Sequence, residues 1–180
     1  MSSYKHSKES HITISELMLP SHSNFSGKIH GGYILSLMDQ VAFACAAKYS
    51  GYYAVTASVD KVDFLQPIEV GELVTMKAAV NFVGRTSMVI GVRVESENIT
   101  TGETKHCNSS YFTMVAKNKE GKSVPVPGLI LDNKTSVRRF VRSLRRQEEG
   151  KKRRAQFTPQ TFKLEEHLKQ LENYNVKLEI

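Results

Sequence analysis

The chain has 180 residues, ordinary apolar content, no tryptophan and a formal net charge of +7. That length suits one compact domain with an appendage. The polar start, Met1 to Ser10, lacks the apolar centre of a secretory leader, and no apolar run approaches the roughly 20 residues of a membrane-spanning helix. Cys45 and Cys107 have neither metal-site nor redox-pair spacing, so a reduced cytoplasmic setting is expected.

In chain order, Ile12 to Leu19 alternates as a strand and stops at Pro20. Residues 21–30 are dominated by polar and turn residues and read as a loop. A helix is predicted from about Gly32 to Tyr49, with Gly51 as its stop signal. The period then changes to two. Strands are predicted at Val55 to Phe64, Leu73 to Val83, Ser87 to Asn98 and about Lys105 to Ala116. On the second of these, Val74, Met76, Ala78, Val80 and Phe82 share one face, and Thr75, Lys77 and Asn81 the solvated one. The expected order is strand, long helix, then four strands in a meander. This is an α+β arrangement in which one apolar helix is buried by a sheet that curls around it. Such a sheet leaves edge strands, which favours pairing into dimers.

Asp39 is the anomaly within that helix. As a helix, the segment gives it Leu35 and Phe43 four residues away and Ser36 and Ala42 three away. None can neutralise it. A carboxylate buried without a partner is costly, so Asp39 is expected to be buried for a chemical purpose, as a base. Gly31 and Gly32, at the helix start, offer bare backbone N–H groups where the helix dipole is positive. A base and an anion-stabilising helix start together suggest acyl chemistry.

The charge is concentrated in one segment. Residues 132–154 carry ten basic residues against three acidic ones, an excess equal to the whole net charge. Residues 118–128, with two prolines and two glycines, form the expected boundary between a domain at 1–128 and a basic extension at 129–180. Val137, Phe140, Val141 and Leu144 have helical spacing, as do Leu164, Leu168 and Leu171, so the extension is expected to be helical.

The run Asn24-Phe-Ser-Gly-Lys-Ile-His-Gly31-Gly32, followed by Asp39, resembles the signature of the acyl-CoA thioester hydrolase branch of the hotdog superfamily. Further segments agree in order: Val55 to Asp60, Val62 to Ile68, Val70-Gly71-Glu72, Gly84 to Met88 and Tyr111 to Ala116. With a trailing arginine-rich helix they cover about residues 12–154. The resemblance implies a hotdog fold hydrolysing fatty acyl-CoA to fatty acid and CoA. It assigns Asp39 as general base or nucleophile and Asn24 as the group orienting water or the carbonyl, the two meeting across a dimer interface. Backbone N–H groups near Gly31 and Gly32 become the oxyanion hole. For coenzyme A it points to Ala54, Val55 and Thr56 against the pantetheine. It points to Val83, Gly84, Arg85, Thr86 and Ser87 near the nucleotide, and to Arg145 or Arg146 near the 3′-phosphate. It implies no cofactor, since coenzyme A is part of substrate and product, and no metal. It also implies a homo-oligomer, a trimer of dimers.

Competing readings are weaker. Dehydration of hydroxyacyl thioesters on the same fold uses a His-Phe-Pro-like loop and a helix glutamate, absent here. A non-catalytic acyl-CoA-binding regulator would not require Asp39 with Asn24. A nucleic-acid arm at residues 134–154 lacks both aromatic interleaving and a helix-turn-helix before it, so no nucleic-acid partner is expected. His30 reads as lining the pocket.

Overall fold

The computed structural model describes residues 4–156, 162–166, 168, 174–177 and 179. In order the elements are β1 (Tyr4–His6), β2 (Ile12–Leu17), α1 (Gly31–Ser50), β3 (Tyr53–Val59), β4 (Leu73–Val83), β5 (Ser87–Glu97), β6 (Thr104–Lys117), β7 (Gly128–Ile130) and α2 (Lys134–Gln156). The chain forms two compact units, one through Ser143 and the other from Leu144. In the second, beyond the end of α2, Leu164–Glu166 forms a 3-10 turn; Leu171 of the expected helical stripe lies outside the described residues. No helix among the described residues is long and apolar enough to cross a membrane.

In the first unit a curled antiparallel sheet, ordered β2-β4-β5-β6-β3, holds α1 against its concave face. The helix is apolar because it is buried along most of its length. Ile34, Met38, Val41, Ala42, Cys45, Ala46 and Tyr49 recur at three- and four-residue steps and enter one core with Val80, Ile90, Phe112 and Met114. The small side chains of Ala42, Cys45 and Ala46 let the sheet approach closely. The His30 side chain caps the helix start by accepting from Gly32 N, and Gly51 ends it in the left-handed region at φ 75°. At its far end the buried Tyr49 donates its hydroxyl to Gly128 O at 2.7 Å, and Lys5 Nζ donates to Tyr49 O at 2.9 Å. These bonds anchor β1 and β7, a parallel pair with no signal in the sequence pattern.

The four-strand meander is not what forms. β4, β5 and β6 are consecutive hairpin neighbours, but β3 pairs with β6 at the far edge. β3 also ends at Val59 rather than Phe64. Beyond it the chain runs on beside β6 through isolated bonds, Asp60 N to Tyr111 O and Leu65 N to Cys107 O, before crossing to β4, which lies between β2 and β5. Period-two alternation specifies that a segment is a strand; its neighbour is decided by contacts far along the chain.

A second difference lies within β4. The β4–β5 register shifts between Val80 and Phe82, a bulge at Asn81. Phe82 therefore leaves the core face and packs on Phe140 of α2, ring centroids 4.9 Å apart. Asn81 is buried rather than solvated.

Candidate active site

Asp39 sits at the flank of the buried face of α1 and is half-exposed in the single chain, so the expected enclosure by apolar neighbours does not occur within one subunit. It also has a partner. Thr56 Oγ1, on β3, donates to Asp39 Oδ1 at 2.6 Å. Thr56 pairs with Met114 across β6, on the inward-facing side of β3, which aims its hydroxyl at α1. No hydrogen-bond donor to Oδ2 occurs among the described residues, which leaves that oxygen free to take up a proton.

The helix start is partly occupied. Gly32 N–H donates to His30 Nδ1 at 2.9 Å, so His30 is a helix cap through an unprotonated Nδ1. Gly31 N–H has no acceptor among the described residues. A side chain at Gly31 would press on the Phe64 ring at 3.2 Å, so the glycine lets that ring close over the helix start. Of the two expected oxyanion donors, Gly31 is therefore the open one and Gly32 the engaged one.

Asn24 lies in the loop before α1 and acts as a turn former. Its Oδ1 accepts from Ser26 N at 2.9 Å, Ser26 Oγ at 2.7 Å and Lys28 N at 3.2 Å, and Gly27 follows at φ 78°. The Nδ2 amide takes no part in these bonds. The loop is tied to the rest of the unit by Ile29 N to Ile68 O and by the Lys28–Glu69 ion pair. No hydrogen bond joins Asn24 to Asp39 within the chain. Phe25, next to Asn24, is fully exposed.

Sheet register gathers the remaining candidates at one end. Val55 and Ser87 both pair with Val115 of β6, from opposite sides. Two strand spacings, roughly 10 Å, therefore separate the Ala54–Thr56 edge from the turn at Val83–Ser87. In that turn Gly84 N donates to Ser87 O, and a side chain at Gly84 would meet Ser87 Oγ at 2.9 Å. Thr86 O and Arg85 O accept from Ala116 N and Val126 N, which clamps the backbone and leaves the Arg85 side chain exposed. Arg145 is exposed on α2, in the second unit.

The sequence matches the Thioesterase superfamily model over residues 26–103. Protein VdlD of Helicobacter pylori is 43% identical over 137 residues, 76% of this chain and 78% of VdlD. YkhA of Bacillus subtilis, named as an uncharacterized acyl-CoA thioester hydrolase, is 33% identical over 147 residues, 82% of this chain and 86% of YkhA. The chain belongs to the acyl-CoA thioester hydrolase family.

This thioesterase has the hotdog fold. It is similar to a hexameric apo acyl-CoA thioesterase with a TM-score of 0.82 and 36% identity, over 85% of this chain and 98% of that one. It is also similar to a Staphylococcus aureus acyl-CoA hydrolase in complex with butyryl coenzyme A and coenzyme A. There the TM-score is 0.79 and the identity 30%, over 85% of this chain and 93% of that one. Alanine variants of the S. aureus enzyme exist at an asparagine, an aspartate and a threonine. Those three residues are spaced along its chain as Asn24, Asp39 and Thr56 are in this thioesterase.

Reading the thioesterase from its sequence missed the side-chain link from Thr56 to Asp39. Thr56 stood out only as a backbone neighbour of pantetheine, and no local spacing connects a strand hydroxyl to a helix one crossing earlier. A second cluster was also missed. Tyr33 donates its hydroxyl to Glu16, and His22 stacks on the Tyr33 ring with centroids 4.0 Å apart. The hydrogen bond to Glu16, then burial and the Glu16 charge, raise the Tyr33 phenol above its ordinary range. These contacts brace the Asn24 loop between β2 and α1.

Proposed function

We propose that this thioesterase hydrolyses fatty acyl-CoA to fatty acid and coenzyme A, with Asp39 as the base. The observation that carries this is the Thr56–Asp39 hydrogen bond, which holds one carboxylate oxygen and leaves the other free on the first turns of α1 beyond the open Gly31 N–H. Asp39 takes a proton from water as the water oxygen attacks the thioester carbon. Gly31 N–H, reinforced by the helix dipole, receives the developing oxyanion. Collapse of the tetrahedral species breaks the C–S bond, and Asp39 returns the proton to the departing thiolate. A thioester has a good leaving group, so one base and one polarising donor suffice without a triad. Asp39 attacking the carbonyl itself is the covalent variant of the same geometry.

Asn24 completes the site from a second subunit. Its Nδ2 is unused in its own turn, and the adjacent Phe25 is fully exposed. Tyr52, Tyr53, Val59, Phe64 and Leu65 are also exposed and line the β3 edge and the strand's continuation, an apolar surface suited to covering by another copy. The hexameric state of the related thioesterases fits a trimer of such dimers. Coenzyme A lies along Ala54, Val55 and Thr56 and past the Val83–Ser87 turn, with Arg85 toward its phosphates.

The test is thiol release across acyl-CoA chain lengths with wild type, Asp39→Ala and Asp39→Asn. Loss of a general base lowers turnover by about 100-fold or more. A folded Asp39 variant with wild-type turnover refutes the assignment. Binding of acyl-CoA without turnover by the wild type assigns the chain to ligand sensing instead.

A further inference from the structure

Glu16 is an acid on the apolar face of its strand. β2 is an edge strand, and its residues Ile12, Ile14 and Glu16 pair with Ala78, Met76 and Val74 of β4, all of which enter the core with α1. Residues paired across two antiparallel strands share a face, so Glu16 is turned toward α1, where the alternation calls for an apolar side chain. Tyr33, from the first turn of α1, meets it there and donates its hydroxyl to a Glu16 carboxylate oxygen. Bonds of that kind, to an ionised acceptor, are among the stronger ones. The face of the same ring is covered by His22, with centroids 4.0 Å apart and planes 22° from parallel. Tyr33 is thus gripped at its hydroxyl by β2 and on its ring by the loop that follows β2.

That loop is the one that carries Asn24, and it is a small hairpin. His30 N donates to His22 O at 2.9 Å, Asn24 N to Lys28 O at 2.7 Å and Gly27 N to Asn24 O at 3.0 Å, with a bridge between Ser23 and Ile29. These bonds fix the shape of the hairpin but not its tilt against α1. The tilt is set by what the hairpin touches outside itself. Its second leg is held by Ile29 N to Ile68 O and by the exposed Lys28–Glu69 pair, which contributes little. Its first leg is held by the stack of His22 on Tyr33. Asn24 lies two residues beyond His22, about 7 Å of extended chain, so a shift at His22 is carried to the Asn24 amide. An inward acid on an edge strand can also serve to discourage edge-to-edge pairing. That would account for Glu16 alone, and not for a tyrosine ring shared between Glu16 and the foot of the hairpin.

We propose that Tyr33 is a positioning residue for hydrolysis: its Glu16-bound hydroxyl and His22-stacked ring set the angle at which the hairpin presents Asn24 to the Asp39 of another copy. The proposal rests on the reading in which Asn24 completes a second subunit's site. Tyr33 acts through Asn24 and not on the substrate. It stands six residues before Asp39 on the same helix, so it ties the hairpin to the rigid element that holds the base. A displacement of about 1 Å in a group that orients reactants can lower a rate about 100-fold, far more than one stack and one hydrogen bond matter to folding.

The experiment is a double-mutant cycle on the full chain, read by thiol release from acyl-CoA per folded molecule: wild type, Tyr33→Phe, Asn24→Ala and the two together. Tyr33→Phe keeps the ring and cuts its tie to Glu16, and kcat falls about fivefold or more with KM within about twofold. Glu16→Gln still accepts from the Tyr33 hydroxyl and stays within about twofold of wild type in kcat. Once Asn24 is alanine the hairpin has no amide to place, so adding Tyr33→Phe lowers kcat by less than about twofold further. His22→Ala releases the ring from the hairpin side and shows the same non-additivity with Asn24→Ala, which gives a second arm should Tyr33→Phe fail to fold. The proposal is overturned if Tyr33→Phe turns over at the wild-type rate, or if its loss is repeated in full beside Asn24→Ala. It is equally overturned if Glu16→Gln loses as much as Tyr33→Phe, which would put the effect in the charge and not in the bond. If Asn24→Ala alone matches wild type, the Asn24 reading fails and this proposal falls with it. If Asn24→Ala is impaired and the cycle is multiplicative, the Asn24 reading stands and only the positioning role is lost.

Discussion

Thr56→Val tests the proposed base through its only hydrogen-bond donor among the described residues. The substitution keeps the β-branched outline that suits β3 and removes the hydroxyl that donates to Asp39 Oδ1 at 2.6 Å. A hydrogen bond to a charged group contributes about 1.5–3 kcal/mol, and the exposure of this pair in one subunit argues for the lower end. About 1.4 kcal/mol at the transition state is tenfold in rate. Thiol-release kinetics should therefore show kcat down about tenfold with KM within about twofold, since the lost bond orients the base and not the pantetheine. Thr56→Ser keeps the donor and should stay within about threefold of wild type in kcat. If Thr56→Val turns over at the wild-type rate, the hydrogen bond does not prepare Asp39. If serine fails as badly as valine, the methyl packing and not the hydroxyl is what matters, and the positioning role is wrong.

Away from the site, the buried Glu72 accepts from Lys105 Nζ at 2.7 Å, from Ser96 Oγ and from Glu69 N at 2.9 Å. Lys105→Met should destabilise the fold by about 2 kcal/mol, read as a lower urea midpoint, and an unchanged midpoint contradicts the pair's importance. Burial alone would raise the Glu72 pKa, but those three donors and the Lys105 charge hold it below its ordinary 4.5. The unfolded chain then binds the extra proton first, so the Glu72 contribution is complete above pH 4.5 and is lost as pH falls through the lower folded value. Glu72→Gln should flatten that acid limb, and an identical limb would refute the linkage. Cys45 is fully buried and its thiol is pushed up to about 12 by burial, so it should resist a thiol reagent at neutral pH until the protein unfolds. Native labelling of Cys45 on the timescale of an exposed thiol would count against this packing. Tyr49→Phe removes the donor to Gly128 O and should cost about 1 kcal/mol while exposing the β1–β7 pair to proteolysis. Unaltered protection there would show that the pair is held by other contacts.

The outcomes separate by the range of the interaction that decides each feature. α1 was legible nearly to the residue because its signals are local: apolar residues at helical steps, and Gly51 at the end. The β4–β5 hairpin was equally legible, since Gly84 breaks two alternating runs. The neighbour of β3 was not, because the same alternation would serve beside β4 or beside β6. The bulge at Asn81 was hidden for a similar reason. It takes hold only where β4 meets β5 and where α2 offers Phe140 to receive the displaced Phe82.

By itself the sequence determined the helix, the strand segments, the glycine turns and the presence of an acid where an apolar helix has no local partner for it. These depend on residues within a few positions of one another. Tertiary structure alone decided which strand lies beside which, and hence that the Thr56 hydroxyl, and not an apolar enclosure, is what Asp39 meets. It also decided that His30 occupies the Gly32 N–H, and that Tyr33 of α1 meets both Glu16 and His22. The reason is physical: spacing along a chain reports on its own turn of helix or stretch of strand. A hydrogen bond between elements depends on packing that closes loops, and loop closure leaves no periodic trace in the residues it joins.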